Sequence, residues 1–183
     1  MLRGKELWMA ALATILISAI YGAVVFLTLE IPPAADLFGH SLGIIGFLLM
    51  LMTEILYSLR KRSRSARWGR MSAWLEFHIF TGLVGPFMVL LHTSWKFNGL
   101  AGVTTLFTVI IVISGFVGRY IYTRIPRSVD GTEIEGTLSE AALRQARRLM
   151  ALWHTVHIPI SMVLFVAAFV HIGAALYYAT FLK

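Results

Sequence analysis

The sequence contains no cysteine, and only 14 % of its 183 residues are charged. The absence of thiols excludes disulfides, thiolate iron–sulfur clusters, covalently attached c-type haem and thiol catalysis. A soluble domain is about half apolar and about a quarter charged, whereas this chain is 58 % hydrophobic with a mean hydropathy of +0.77. Too few polar side chains are present to coat a water-soluble globule. We therefore predict an integral membrane protein and exclude a soluble enzyme and a disordered protein.

Five apolar stretches reach the length of about 20 residues that crosses a bilayer. They cover residues 7–29, 38–59, 73–95, 100–122 and 152–181. The first run is longer than the roughly 7–15 apolar residues of a signal peptide, so we interpret it as a span. The fold prediction is a single all-α membrane domain over residues 1–183, in which five transmembrane helices form the bundle.

Basic side chains supply the orientation. Fourteen of the sixteen lysine and arginine residues fall on one side of the predicted spans, and only Lys96 and Lys183 fall on the other. The positive-inside rule then places the N-terminus in the cytoplasm and the C-terminus outside. We predict a multi-pass protein of the cell inner membrane that contacts the lipid bilayer. The net charge of +7 is assigned to cytoplasmic loops, so no nucleic-acid partner is expected.

The largest segment outside the spans, residues 123–151, is predicted to be a cytoplasmic hairpin followed by a helix. Asp130-Gly131 favours a tight turn, and Thr137 with Glu140 forms a capping-box pattern. The helix either lies on the anionic inner leaflet through its arginines or is a solvated connector to span five.

Four of the six histidines form two pairs with the same spacing. His78 and His92 are 14 residues apart on span three, and His157 and His171 are 14 residues apart on span five. Fourteen residues make nearly four helical turns, so each pair lies on one helix face with about 21 Å between its members. Spans three and five run parallel because one span separates them. His78 therefore matches His157 in depth near the cytoplasmic side, and His92 matches His171 near the outer side.

Two cross-helix histidine pairs at two depths are what two stacked b-type haems require. Such haems have no thioether links, so axial protein ligands hold the iron, and two imidazoles suit electron transfer. A single membrane histidine can instead bond a neighbouring helix or belong to a proton path. The joint pattern favours two haems, with His78, His92, His157 and His171 as iron ligands of a haem-binding helix bundle.

Several further side chains are secondary candidates. His154 lies one turn before His157 but about 60° round the helix, so it is a poorer ligand and a candidate contact of a haem propionate or a quinone. Haem propionates are anionic, and basic residues near the inner span ends could reach them, whereas Lys96 is the comparable cation near the outer haem. The inner candidates are Arg60, Arg70, Arg119 and Arg124. Glu54 and Glu76 are intramembrane acids, either functional or paired with nearby arginines.

The histidine segments resemble a known family. EFHIF at 76–80, LHTSW at 91–95, WHTVH at 153–157 and VHIG at 170–173 resemble the haem core of ferric-reductase-like transmembrane proteins. That group includes NADPH oxidases, metalloreductases and bacterial haem subunits of membrane redox complexes. The resemblance implies haem ligation by the same four histidines and electron transfer. This chain has no room for the flavin or pyridine-nucleotide domain of the oxidases, so the resemblance does not choose an electron donor.

Three functions follow from these observations. The first is a di-haem cytochrome b subunit that transfers electrons across the membrane between a quinone pool and a partner redox protein, as part of an oxidoreductase complex. The second is a reductase that delivers electrons to ferric iron or another small acceptor at the outer haem. The third is a non-redox membrane anchor or transporter, in which the histidines pack or carry protons.

Overall fold

Five helices make up the part of the protein that the computed structural model describes, which is residues 4–62, 69–125 and 140–181. They are α1 (Lys5–Thr28), α2 (Leu37–Arg62), α3 (Met71–His92), α4 (Gly99–Thr123) and α5 (Glu140–Phe181). All five are long and apolar enough to cross a membrane, which confirms the prediction of an all-α protein with five spans. Large apolar side chains such as Leu29 and Phe26 are more than three-quarters exposed, as lipid-facing residues are.

Three helix ends differ from the predicted spans by three residues or more, and one of them is the end of α2, at Arg62 rather than at residue 59. The third span was predicted to reach residue 95, but α3 ends at His92, because Ser94 and Trp95 adopt left-handed backbone angles that stop the helix. The predicted helix before span five begins at Glu140 and is continuous with the span, so α5 is a single helix of 42 residues. The predicted turn at 130–131 lies outside the described residues.

Helices α2 and α3 pack closely because small residues meet where they cross. A β-carbon added at Gly46 would lie 2.7 Å from the Gly85 carbonyl oxygen, and one added at Gly85 would lie 2.8 Å from that of Gly46. Nearer the N-terminus of α3, the hydroxyls of Thr53 and Thr81 are hydrogen-bonded across the same interface. Small residues allow this close backbone approach in membrane helices.

Helix α5 packs on α4 through an aromatic side chain that occupies the space left by a glycine. The Trp153 ring lies against Gly118, and its indole nitrogen donates to the Ser114 carbonyl at 2.7 Å. Helix α1 is tied to α4 by an ion pair between Glu6 and Arg119. We call the end of the bundle that carries this ion pair the inner end, following the predicted orientation.

Helices α3 and α5 stand apart. In the described ranges, no α-carbon of α3 comes within 8 Å of one in α5, although both helices pack against α4. Helix α5 contacts α2 through side chains, such as Phe47 and Phe169 with their ring centres 5.4 Å apart. The backbones of the two histidine-bearing helices therefore leave a gap between them.

Candidate functional site

A cavity of about 870 Å³ occupies this space at the inner end of the bundle. His78 of α3 and His157 of α5 both line it, and so does His154. Its volume is within the range of about 300–1,000 Å³ that is usual for pockets that enclose a drug-sized ligand or cofactor. The structure thus brings together the two histidines that the spacing pattern predicted to share a depth.

His157 is held by two groups of its surroundings. Its Nδ1 atom is hydrogen-bonded to the Ser114 hydroxyl of α4 at 2.9 Å. The Trp153 ring stacks on the imidazole with ring centres 4.5 Å apart and planes inclined by 29°. With Nδ1 engaged, Nε2 is the ring nitrogen left for a ligand, and such an anchored imidazole is typical of metal-binding histidines.

His78 has a different environment. The Tyr57 ring of α2 lies 4.7 Å from the imidazole, centre to centre. The Nδ1 atom of His78 is buried and has no hydrogen-bond partner among the described residues. A buried polar atom without a partner is uncommon and calls for an explanation, such as a ligand or water at the site.

The outer histidines form a second level. His92 donates from Nδ1 to the Gly39 carbonyl of α2 at 2.8 Å, and a β-carbon on Gly43 would lie 2.8 Å from the same ring. His171 lies within electrostatic range of His92, as His157 lies within range of His78. His40 also contacts this level, with its ring centre 6.2 Å from that of His92.

A hydrogen bond between two loops holds the end of α3, and with it His92, beside the start of α2. The Ser94 hydroxyl is buried and donates to the Pro32 carbonyl at 2.6 Å, which joins the loop after α3 to the loop before α2. Because His92 is the last residue of α3, this tie holds its ring against the first turn of α2.

Cations line the inner cavity, and they include some of the predicted propionate partners. The basic lining residues are Arg60, Lys61, Arg62 and Arg119. Nε of Arg60 is buried and without a partner in the described part of the chain. Arg70 is exposed and is outside the lining, as is Arg124, which bonds the Tyr120 hydroxyl. Lys96 is exposed near the outer level.

Two of the secondary candidates take part in the inner cavity. Nε2 of His154 lies 3.5 Å from the Lys61 ammonium nitrogen. Glu54 also lines the cavity, close to the hydroxyls of Ser58 and Ser161 and to Arg62. Glu76 is outside the lining.

In the described residues, three or more His, Asp or Glu side chains do not converge as they would around a bare metal ion. A bis-histidine haem needs fewer ligands from the protein than a bare metal ion does. The porphyrin supplies the other iron ligands, so each haem needs two imidazoles on opposite sides of one gap.

The histidine spacing predicted the four candidate ligands, but it missed the groups that orient them. Ser114 and Gly39 are contributed by helices that carry none of the four candidate ligands, so no spacing rule on α3 or α5 could identify them. The one signal in the sequence was the presence of small and polar residues in spans two and four. Trp153 and Tyr57 contact the histidines, and both lie near the ends of predicted spans, where interfacial aromatic residues are common.

Comparison with known proteins found no matching family model, no matching curated protein and no matching solved structure. The resemblance to ferric-reductase-like proteins thus stays a prediction from the sequence.

Proposed function

We propose that this protein is a membrane cytochrome b that binds two b-type haems, one between His78 and His157 and one between His92 and His171. It would transfer electrons across the inner membrane between a quinone pool and a partner redox protein. The observation that carries the proposal is the inner cavity, because histidines from two helices whose described α-carbons all stay more than 8 Å apart line the same space.

The environment of the histidines supports haem ligation. Nδ1 of His157 is bonded to Ser114, and Nδ1 of His92 donates to Gly39. Both rings therefore keep Nε2 available, and both are prevented from rotating. Partners of this kind fix the tautomer of ligand histidines and raise their basicity. Any side chain at position 43 would crowd the His92 ring, so Gly43 leaves the space in which this ring is held.

Bound b haem supplies reversible one-electron chemistry. The residues of the chain would hold the imidazoles in place, and the apolar spans would limit the access of water to the bound group. Arg60, Lys61 and Arg62 lie where they would neutralise propionates at the cytoplasmic edge of the inner cavity. The 14-residue spacing separates the two levels by about 21 Å along the helix axis, so the two haems together would extend across most of the hydrocarbon layer.

Haem content tests the proposal. The purified protein should show a b-type reduced-minus-oxidised spectrum, and a pyridine haemochrome assay should give two haems per chain. Acidified acetone should extract all of it, since no cysteine is present to form thioethers. Absence of haem, or haem that resists extraction, would reject the proposal and favour the anchor or transporter. Reduction of the haems by a quinol, compared with oxidation of the reduced haems by ferric chelate, separates the quinone-linked subunit from the small-acceptor reductase.

A further inference from the structure

A second, narrower cavity of about 480 Å³ lies between α1, α3 and α4, and we call it the lateral cleft. Its lining is apolar apart from three threonines, Thr14, Thr105 and Thr108. Each of their hydroxyls donates to a backbone carbonyl of its own helix, at 2.9, 2.9 and 2.8 Å respectively. These side-chain hydrogen-bond donors are therefore already used within their own helices, and the surface of the cleft suits a hydrocarbon chain.

The lateral cleft is long, and it borders the inner cavity. Along α4 it extends from Thr105 to Phe116, which corresponds to about 16 Å. A volume of this size over such a length describes a slot rather than a rounded pocket. Five residues line both spaces, so only these side chains separate them: Leu7, Leu83, Pro86, Val112 and Phe116.

The mouth of the cleft faces the lipid at the depth of the hydrocarbon layer. Its rim residues Ala11, Val109 and Ile113 are exposed, and no α-carbon of α1 lies within 8 Å of one in α4 in the described ranges. Towards the inner end, the Glu6 carboxylate accepts from Arg119 at 2.7 Å and joins the two helices. The ion pair is outside the lining and follows directly on Leu7 of α1 and one turn after Phe116 of α4, the lining residues nearest the inner end. A ligand would therefore enter between α1 and α4, sideways from within the bilayer.

We infer that the lateral cleft binds the isoprenoid chain of a membrane-dissolved quinone, whose ring lies at the junction with the inner cavity. This inference rests on the proposed function and locates the quinone within the fold. A quinone moves in the hydrocarbon layer and reaches the mouth directly. A phospholipid is anchored by its headgroup at the interface, and on the inner side the ion pair of Glu6 and Arg119 joins α1 to α4 between the headgroup region and the cleft.

Two filled-cleft variants test this inference, each with a matched control. Ala11→Phe on α1 and Ile113→Trp on α4 place a large ring at the mouth. Ala19→Phe and Ile110→Trp add the same rings at exposed positions of the same helices outside the cleft. Each full-length protein is assembled in phosphatidylethanolamine–phosphatidylglycerol nanodiscs with ubiquinone-10 or, in parallel, menaquinone-8. After removal of free lipid, the retained quinone and phospholipid are extracted and counted per protein chain, and haem is counted separately.

Wild type and both controls should retain a quinone, and both filled-cleft variants should retain at least about tenfold less, equivalent to about 1.4 kcal/mol of binding free energy. Equal quinone in all five proteins would overturn the inference. So would filled-cleft variants that lose phospholipid but keep quinone, since an acyl chain would then occupy the cleft. Haem decides the proposed function independently: a protein without haem that still loses quinone in the filled-cleft variants would reject the cytochrome and keep the cleft.

Discussion

Nδ1 of His92 lies 2.8 Å from the carbonyl oxygen of Gly39, so helix α2, which carries none of the four predicted ligands, orients one of them. Because a carbonyl can only accept, the proton of the neutral His92 imidazole is on Nδ1, and the lone pair is on Nε2. Gly43, one turn further along α2, touches the same ring. The outer site thus depends on the packing of α2 against the end of α3.

Gly43→Ala should weaken the outer haem site selectively. The added methyl carbon would lie 2.8 Å from Cγ and Nδ1 of His92, too close for a carbon contact, and the hydrogen bond to Gly39 prevents the ring from moving aside. We expect about 10–100-fold weaker haem binding at the outer site and an unchanged inner site, measured as a fall from two haems per chain towards one. Gly22→Ala is the control, since a methyl group there meets nothing within 4 Å; an equal loss in both variants would contradict the steric explanation.

Ser114→Ala should weaken haem binding at the inner site selectively. It removes the hydroxyl that is bonded to Nδ1 of His157 at 2.9 Å but keeps the backbone carbonyl that accepts from Trp153. We expect haem affinity at the inner site to fall about 10–100-fold, because loss of such a partner frees the ring to rotate. Ser114→Thr keeps a hydroxyl and should restore most of the affinity. If the alanine variant binds haem like wild type, the hydrogen bond has no role in ligation.

The sequence predicted the two histidine levels more completely than their surroundings. His78 lies on the same helix face as His92, and His157 on the same face as His171. Both relationships follow from helix geometry, so the sequence alone is enough to predict them. The contact of Tyr57 with His78, and the approach of Gly46 to Gly85, depend on how α2 rotates against α3. That rotation is decided by the sum of many small packing terms, so no local pattern reveals it.

Single histidine variants should separate ligand from neighbour on α5. His157→Ala should remove the inner haem and spare the outer, whereas His154→Ala should leave both spectra in place. Both side chains line the cavity, but His154 lies beside Lys61 and His157 is anchored by Ser114. The haem spectrum of each purified variant checks this. Loss of one haem in His154→Ala, together with two haems in His157→Ala, would show that the other register of α5 is used.

Glu6→Gln should destabilise the bundle, although Glu6 lies one residue before the predicted first span, which begins at residue 7. The Glu6 side chain is 1 % exposed and that of Arg119 is 20 % exposed. Removing the carboxylate leaves a largely buried guanidinium unpaired, which we expect to cost about 2–3 kcal/mol of unfolding free energy. Thermal unfolding in detergent measures the loss. Glu140→Gln breaks an exposed ion pair with Arg144 and should leave the melting temperature unchanged; equal shifts would show that burial does not matter here.

The inner haem should have the higher reduction potential of the two. Reduction adds an electron, so nearby positive charge favours the reduced form, and Arg60, Lys61 and Arg62 line the inner cavity whereas Lys96 is the comparable cation near the outer level. A unit charge at 4 Å is worth about 4 kcal/mol at an effective dielectric constant near 20, and solvent reduces this value.

A redox titration of His92→Ala, which should keep only the inner haem, shows which potential belongs to which site. Lys61→Gln should then lower the inner potential and leave the outer one unchanged, because it removes a charge from the lining of one cavity only. Arg144→Gln removes an equal charge about 20 Å from His157 along α5, beyond the screening length of about 8 Å at physiological salt, and should change neither potential. An inner haem with the lower potential, or a Lys61→Gln variant that titrates like Arg144→Gln, would mean that burial or ligand orientation outweighs the cations. Electron flow would then no longer be favoured from the outer haem to the inner one.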